Sequence, residues 1–148
     1  MATTVDDGLF VDTNVLVYAN VAEAPLHQVA LEAIAGARDR GCRLWISRQV
    51  IREYLVAMTR PQTFTSLPRK IVLDQIQAFG GHFTIAEDSA RVTEHLLGLL
   101  TDHPVGGKRI HDANIVATML AWNIPKLITH NVSDFACFTG LIQLESLG

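Results

Sequence analysis

Gly8-Leu9-Phe10-Val11-Asp12-Thr13-Asn14-Val15-Leu16 is the stretch whose reading decides the fold. The short apolar run from Gly8 to Val11 reads as a strand buried on both faces, ending at Asp12. Asn14 to Asn20 then reads as a short helix. An acid beside a core is costly unless something pairs with it. Asp12 is therefore either a helix cap or part of a site.

Outward from this stretch, strands and helices alternate. Pro25 to Arg40 carries apolar residues at helical spacing, with Gly41 as its stop. Cys42 to Ile46 is a second strand. Ser47 is placed to cap a helix with Val50, Ile51, Tyr54, Leu55 and Met58 on one face, ended by Pro61. Arg60 to Pro68 reads as a loop, followed by a helix to about Phe79, a break at Gly80-Gly81, and a third strand over His82 to Ala86. A helix over Glu87 to Thr101 leads into a flexible His103 to Lys108. Arg109 to Trp122 is strongly helical, Lys126 to Ile128 begins a fourth strand, and Leu141 to Leu144 gives a fifth. This alternation predicts one α/β domain over residues 1–148, with helices on both faces of a parallel sheet.

The chain has 148 residues, long enough to bury a core without metal or disulfide staples. At 49% hydrophobic and 18% charged it has the composition of a soluble globular protein, with an apolar surplus that fits a large core or a face covered by a partner. A net charge of −3 gives no overall basic field, although a sum hides a basic rim around an acidic site. Two cysteines, Cys42 and Cys137, lack metal-ligand spacing and make no secreted framework. With no signal-peptide pattern and no apolar run of membrane length, a cytoplasmic setting is expected.

Three more acids share the position of Asp12 at an apolar boundary. Glu53 lies near the start of the helix after the second strand, Asp112 in the first turn of the helix feeding the fourth strand, and Asp134 in the loop after that strand. Each has a local reading: Asp12 as a cap, Asp112 paired with Lys108 or Arg109, Asp134 in the turn Asn131-Val132-Ser133-Asp134. Glu53 resists one, because its neighbours four and three positions away are Gln49, Ala57, Val50 and Val56, none a cation. Ligand sites in open α/β sheets lie beyond the carboxyl ends of the strands, where strand order reverses. Two carboxylates about 4 Å apart repel by roughly 4 kcal/mol at an effective dielectric of 20, so four in one crevice require a cation. All-oxygen donors without a His/Cys pattern point to Mg²⁺ or Mn²⁺, and such ions activate water and stabilise phosphodiester oxygens.

Val11-Asp12-Thr13-Asn14-Val15-Leu16 resembles the opening signature of PIN-domain ribonucleases. Val50-Ile51-Arg52-Glu53-Tyr54 looks like the segment of the second acid, and His111-Asp112-Ala113-Asn114-Ile115-Val116-Ala117 like that of the third. Thr129-His130-Asn131-Val132-Ser133-Asp134-Phe135 resembles the closing strand-to-loop motif. Nearly the whole chain is covered, in matching order. The resemblance implies a three-layer α/β/α fold with a central parallel sheet of about five strands in the order 3-2-1-4-5. It implies Mg²⁺-dependent (or Mn²⁺-dependent) RNA cleavage, often of tRNA or rRNA, with Asp12, Glu53, Asp112 and Asp134 as catalytic and metal residues. Asn14 and Thr129 would orient carboxylates and waters. Many members carry an acid where this chain has Asn131, which leaves Asn131 as a neutral ligand or as a residue that orders a water. Single-domain members of this length are VapC-like toxins, so a co-expressed antitoxin is the implied partner, in a homodimer or a hetero-oligomer.

Other readings compete. Gly107-Lys108 lacks the rest of a phosphate loop, which rejects an NTPase. A non-catalytic, Mg²⁺-binding receiver-type domain explains an acid after the first strand but gives Glu53 no role, and an RNA-binding module without catalysis leaves four intact acids unused. Arg48, Arg52, Arg60, Arg69, Lys70, Lys108 and Arg109 flank the expected mouth as candidate phosphate contacts, led by Lys108 and Arg109 beside Asp112. The early helices and the Arg60 to Pro68 loop offer an apolar surface for an antitoxin peptide. His111 and His130 adjoin the motifs, with structural hydrogen bonding as their expected role.

Overall fold

A computed structural model describes residues 7–61 and 67–148. Strand β1 (Gly8–Val11) is followed by α1 (Thr13–Asn20), α2 (His27–Asp39), β2 (Arg43–Ser47), α3 (Arg48–Thr59), α4 (Arg69–His82) and β3 (Thr84–Ala86). Then come α5 (Ala90–Asp102), α6 (Arg109–Trp122), β4 (Lys126–Thr129), a 3₁₀ helix (Val132–Phe138) and β5 (Gln143–Ser146). All four strand pairings are parallel, in the order β3-β2-β1-β4-β5.

β1 occupies the centre because its sequence allows it. Leu9, Phe10 and Val11 are all buried, so the strand has no solvent face. Phe10 pairs with Trp45 on one side and Leu127 on the other. α1 packs on α2 and α3, α3 packs on α4, and α5 packs on α6. Right-handed crossovers set the first four helices on one face and α5 and α6 on the other. Strand order therefore reverses at β1, between β2 and β4, and opens a crevice beyond its carboxyl end. A receiver-type domain has the order 2-1-3-4-5, so the observed order overturns that alternative.

Local chemistry sets the ends that matter. Asp12 caps α1 by accepting from Thr13 N at 2.8 Å. The Ser47 hydroxyl accepts from Val50 N at 3.3 Å and starts α3 directly after β2. α6 stops at Asn123, which takes the left-handed conformation (φ 56°), while Ile124 N reaches back to Met119 O at 2.9 Å. That turn delivers the chain into β4 beside β1.

Three sequence expectations need correction. α4 runs through Gly80-Gly81 to His82. Both glycines are exposed and keep negative φ, and a helical glycine costs only about 1 kcal/mol relative to alanine. The real stop is Phe83, which turns extended and donates to Phe79 O. The fifth strand lies at Gln143–Ser146, two residues later than its apolar signal, because Leu141 and Ile142 close a turn onto Phe138 O. Between β4 and β5 the expected loop is a 3₁₀ helix anchored by buried Phe135 and Phe138. Within the expected Arg60–Pro68 loop, residues 62–66 lie outside the described residues.

Candidate active site

The crevice at the switch point has a volume of about 880 Å³, and its floor and walls include Asp12, Glu53 and Asp112 with Thr13, Asn14, Gln49, His111 and Asn131. Asp12 sits deepest, 6% exposed. Its Oδ2 accepts from Thr129 Oγ1 at 2.7 Å and from Asn14 Nδ2 at 3.3 Å. Burial pushes the Asp12 carboxyl above its ordinary range, the bonds from Thr129 and Thr13 oppose that, and the charge of Glu53 adds to it. Asp12 is thus both a helix cap and part of the floor of the crevice.

Thr129 and Asn14 both hydrogen-bond this carboxylate. The Thr129 hydroxyl also accepts from Asn131 N at 3.0 Å, and Asn14 Nδ2 lies 3.4 Å from it. Asn14 Oδ1 accepts from His130 N at 3.0 Å. The end of β4 is thereby fastened to the start of α1. His130 sets its ring edge-on to Tyr18, 5.6 Å between centroids.

Glu53 reaches the crevice from the second turn of α3. Its two oxygens accept from Thr13 Oγ1 at 2.8 Å and from Gln49 Nε2 at 2.9 Å. The lack of a nearby cation is legible in the sequence, and the partner that takes its place is neutral: Gln49, one helical turn earlier. Gln49 is buried, and it also donates to His111 O at 2.8 Å and accepts from Asn114 Nδ2 at 2.8 Å. The i−4 spacing from Glu53 was the available signal; the contact with α6 had none.

Asp112 projects from the first turn of α6 and makes no hydrogen bond or ion pair with any described residue. Among the described residues neither Lys108 nor Arg109 forms an ion pair with it, so the local alternative is not realised. Its carboxyl is pushed up to about 6, first by burial and then by the charges of Asp134, Asp12 and Glu53, with Arg109 opposing weakly. Asp134 is exposed on the 3₁₀ helix and does not line the crevice, yet its charge is the one that most affects Asp112. The structure thus brings three of the four predicted acids into one crevice and leaves Asp134 at its margin, while Asn131 is in the lining.

Among the described residues, no three His, Cys, Asp or Glu side chains close to metal-holding distance. A carboxylate without a partner among the described residues, raised by burial and by three like charges, is a donor that a divalent cation could answer.

The basic rim is narrower than expected. Arg52, Arg60 and Lys108 line the crevice. Arg48 pairs with Glu87 at 2.7 Å, and Lys70 with Asp74 at 3.1 Å. Arg109 donates to Asp134 O at 3.0 Å, holding the 3₁₀ helix against α6. Short surface pairings along and between neighbouring elements took up charges that sequence position alone had assigned to the mouth.

A parallel sheet wound in both directions from β1, with acids gathered at its reversal, defines a doubly wound α/β protein with an acidic crevice. The sequence matches the PIN domain over residues 9–136, and the chain belongs to that family. A search of curated proteins gave no match. Among solved structures it resembles VapBC2 from Rickettsia felis, bound to a DNA fragment from its promoter, with 21% identity, a TM-score of 0.70 and 95% of this chain and 99% of that one covered. VapBC-1 from nontypeable Haemophilus influenzae matches at 20% identity and a TM-score of 0.65, covering 95% and 98%. VapC20 of Mycobacterium tuberculosis, described as a Sarcin-Ricin loop cleaving toxin, matches at 18% identity and 0.62, covering 80% and 86%. At these identities the likeness speaks for the fold. No helix among the described residues is long and apolar enough to cross a membrane.

Proposed function

We propose that this PIN-domain chain acts as one domain, a metal-dependent endoribonuclease that forms the toxin half of a toxin–antitoxin pair. The observation that carries the reading is Asp112: a carboxylate with no hydrogen-bond or ion-pair partner among the described residues, raised by burial and then by Asp134, Asp12 and Glu53 at the switch point of the sheet. Asp12 and Asp112 would hold Mg²⁺ or Mn²⁺, with Glu53, Asp134 and Asn131 ordering its waters. Bound there, the ion supplies a lowered pKa for an attacking water and neutralises charge on the phosphodiester oxygens. Thr129, Asn14 and Thr13 keep Asp12 fixed, so its negative charge is in place before substrate arrives. Lys108, Arg52 and Arg60 meet the phosphate backbone at the rim.

RNA as substrate, and structured tRNA or rRNA in particular, rests on family membership and on the neighbour described as cleaving the Sarcin-Ricin loop. An antitoxin partner rests on neighbours solved as toxin–antitoxin complexes, together with the apolar margin of Val17, Tyr18, Val56 and Ala57 beside the acids. A homodimer or a hetero-oligomer with the antitoxin, working in the cytoplasm, follows from the same reading.

The test is cleavage of labelled total RNA, tRNA and rRNA by purified protein with Mg²⁺, with Mn²⁺ and with chelator. Cation-dependent cleavage that is lost in both Asp12→Asn and Asp112→Asn is expected. Cleavage that survives both substitutions overturns the assignment.

A further inference from the structure

Gln49 has a place in the crevice that no motif assigns to it. It is 6% exposed and makes three hydrogen bonds on two helices: Nε2 to Glu53 Oε2 at 2.9 Å, Nε2 to His111 O at 2.8 Å, and Oε1 from Asn114 Nδ2 at 2.8 Å. Asn114 fixes the direction of the amide. Its donor group commits the Gln49 oxygen, so both Nε2 hydrogens point at Glu53 and His111 O. The flipped amide would set oxygen against a carboxylate and a carbonyl and leave Asn114 facing a donor. Only one orientation satisfies every partner.

We infer that Gln49 is the positioning residue of the site: one uncharged amide that holds Glu53 on α3 against the His111–Asp112 turn of α6. This rests on the metal-dependent reading above. Two features separate it from an ordinary buried amide. Glu53 and Asp112 repel each other, so their helices need a tie that adds no charge, and a lysine or arginine here would compete with the cation for the acids. The same nitrogen also serves both sides, so loss of Gln49 releases Glu53 and the turn bearing Asp112 together. Groups that orient metal-binding carboxylates in this way change metal affinity by roughly ten- to a hundredfold when removed.

Mn²⁺ affinity tests this directly, measured by calorimetry on the full chain beside thermal unfolding. Gln49→Met keeps side-chain length and removes every hydrogen bond. Asn114→Ala leaves Gln49 in place but frees its amide to rotate. Val92→Ala, a core truncation on α5 away from the crevice, controls for general destabilisation. Weaker Mn²⁺ binding by roughly tenfold or more in Gln49→Met, a smaller loss in Asn114→Ala, and unchanged affinity in Val92→Ala are expected, with kcat falling and KM steady on RNA. Wild-type affinity in a folded Gln49→Met overturns the positioning role and leaves the metal reading intact. Absence of Mn²⁺ binding in the wild type overturns both.

Discussion

Thr129 Oγ1 donates a 2.7 Å hydrogen bond to Asp12 Oδ2 across 117 positions of sequence. The bond joins the carboxyl ends of β4 and β1, the two strands between which the chain reverses its winding. The same oxygen accepts from Asn131 N, so one fully buried hydroxyl sets both the deepest acid and the exit of β4. Thr129→Val should lower stability by about 1–3 kcal/mol, since it strips a buried carboxylate of a donor at nearly constant volume. Thr129→Ser should restore most of it. Denaturant midpoints of the three proteins check this, and a Val variant as stable as wild type would show that the bond carries no net energy.

Asp12→Asn should leave the fold intact while cleavage falls by on the order of 10³-fold. Thr13 N still finds an oxygen on the amide, and removal of the buried negative charge, disfavoured by desolvation, offsets the loss of the acceptor for Thr129 and Asn14. Melting temperature and single-turnover cleavage should therefore separate, the first nearly unchanged and the second lost. A parallel fall in both would mark Asp12 as a structural cap alone.

The sequence made the centre of the molecule legible and its periphery less so. Leu9-Phe10-Val11 reads as a strand buried on both faces, and β1 with Asp12 at its end follows from it. Glu53 was identifiable because helical spacing showed no cation nearby. What stayed hidden depends on distant partners. The Gln49–Asn114 contact joins two helices across 65 positions. The 3₁₀ helix rests on where Phe135 and Phe138 are buried, and α4 ignores a glycine pair because its stop comes from Phe83 entering β3. Asp134 was placed at the right end of the sheet, but not at the depth of the other three acids.

Asp112 makes stability depend on pH in a defined direction. Its carboxyl titrates near 6 folded, against an ordinary value of 3.8. Between those values the folded chain binds more proton than the unfolded one, so stability falls as pH rises from about 4 to 6 and stays reduced above. The shift corresponds to about 3 kcal/mol at 1.36 kcal/mol per unit, and partial exposure screens it to on the order of 1 kcal/mol. Asp112→Asn should therefore be more stable than wild type at pH 7.5 in chelator and should lose that advantage by pH 4. Mg²⁺ should reverse the gap at pH 7.5 by stabilising the wild type, by about 2.7 kcal/mol at a hundredfold excess over its Kd. Urea midpoints at the two pH values, with and without Mg²⁺, read all of this, and a gap independent of pH would remove Asp112 as its source.

Lys108 and Arg109 are adjacent in sequence, but the structure gives them different work. Lys108 lines the crevice, whereas Arg109 spends a guanidinium nitrogen on Asp134 O at 3.0 Å. A lysine that only meets phosphate adds one counterion release on binding, about 0.7 in the slope of log K against log salt for a single strand. Lys108→Ala should therefore weaken RNA binding, lower that slope by about 0.7, and leave the melting temperature unchanged. Arg109→Ala should also lower the melting temperature, because it frees the 3₁₀ helix from α6 and moves Asp134 relative to Asp112. Binding by a catalytically silent Asp12→Asn background, titrated at several salt concentrations, isolates the two effects. Equal melting temperatures for the two alanine variants would mean that Arg109 holds nothing, and an unchanged slope in Lys108→Ala would take the phosphate away from this edge of the crevice.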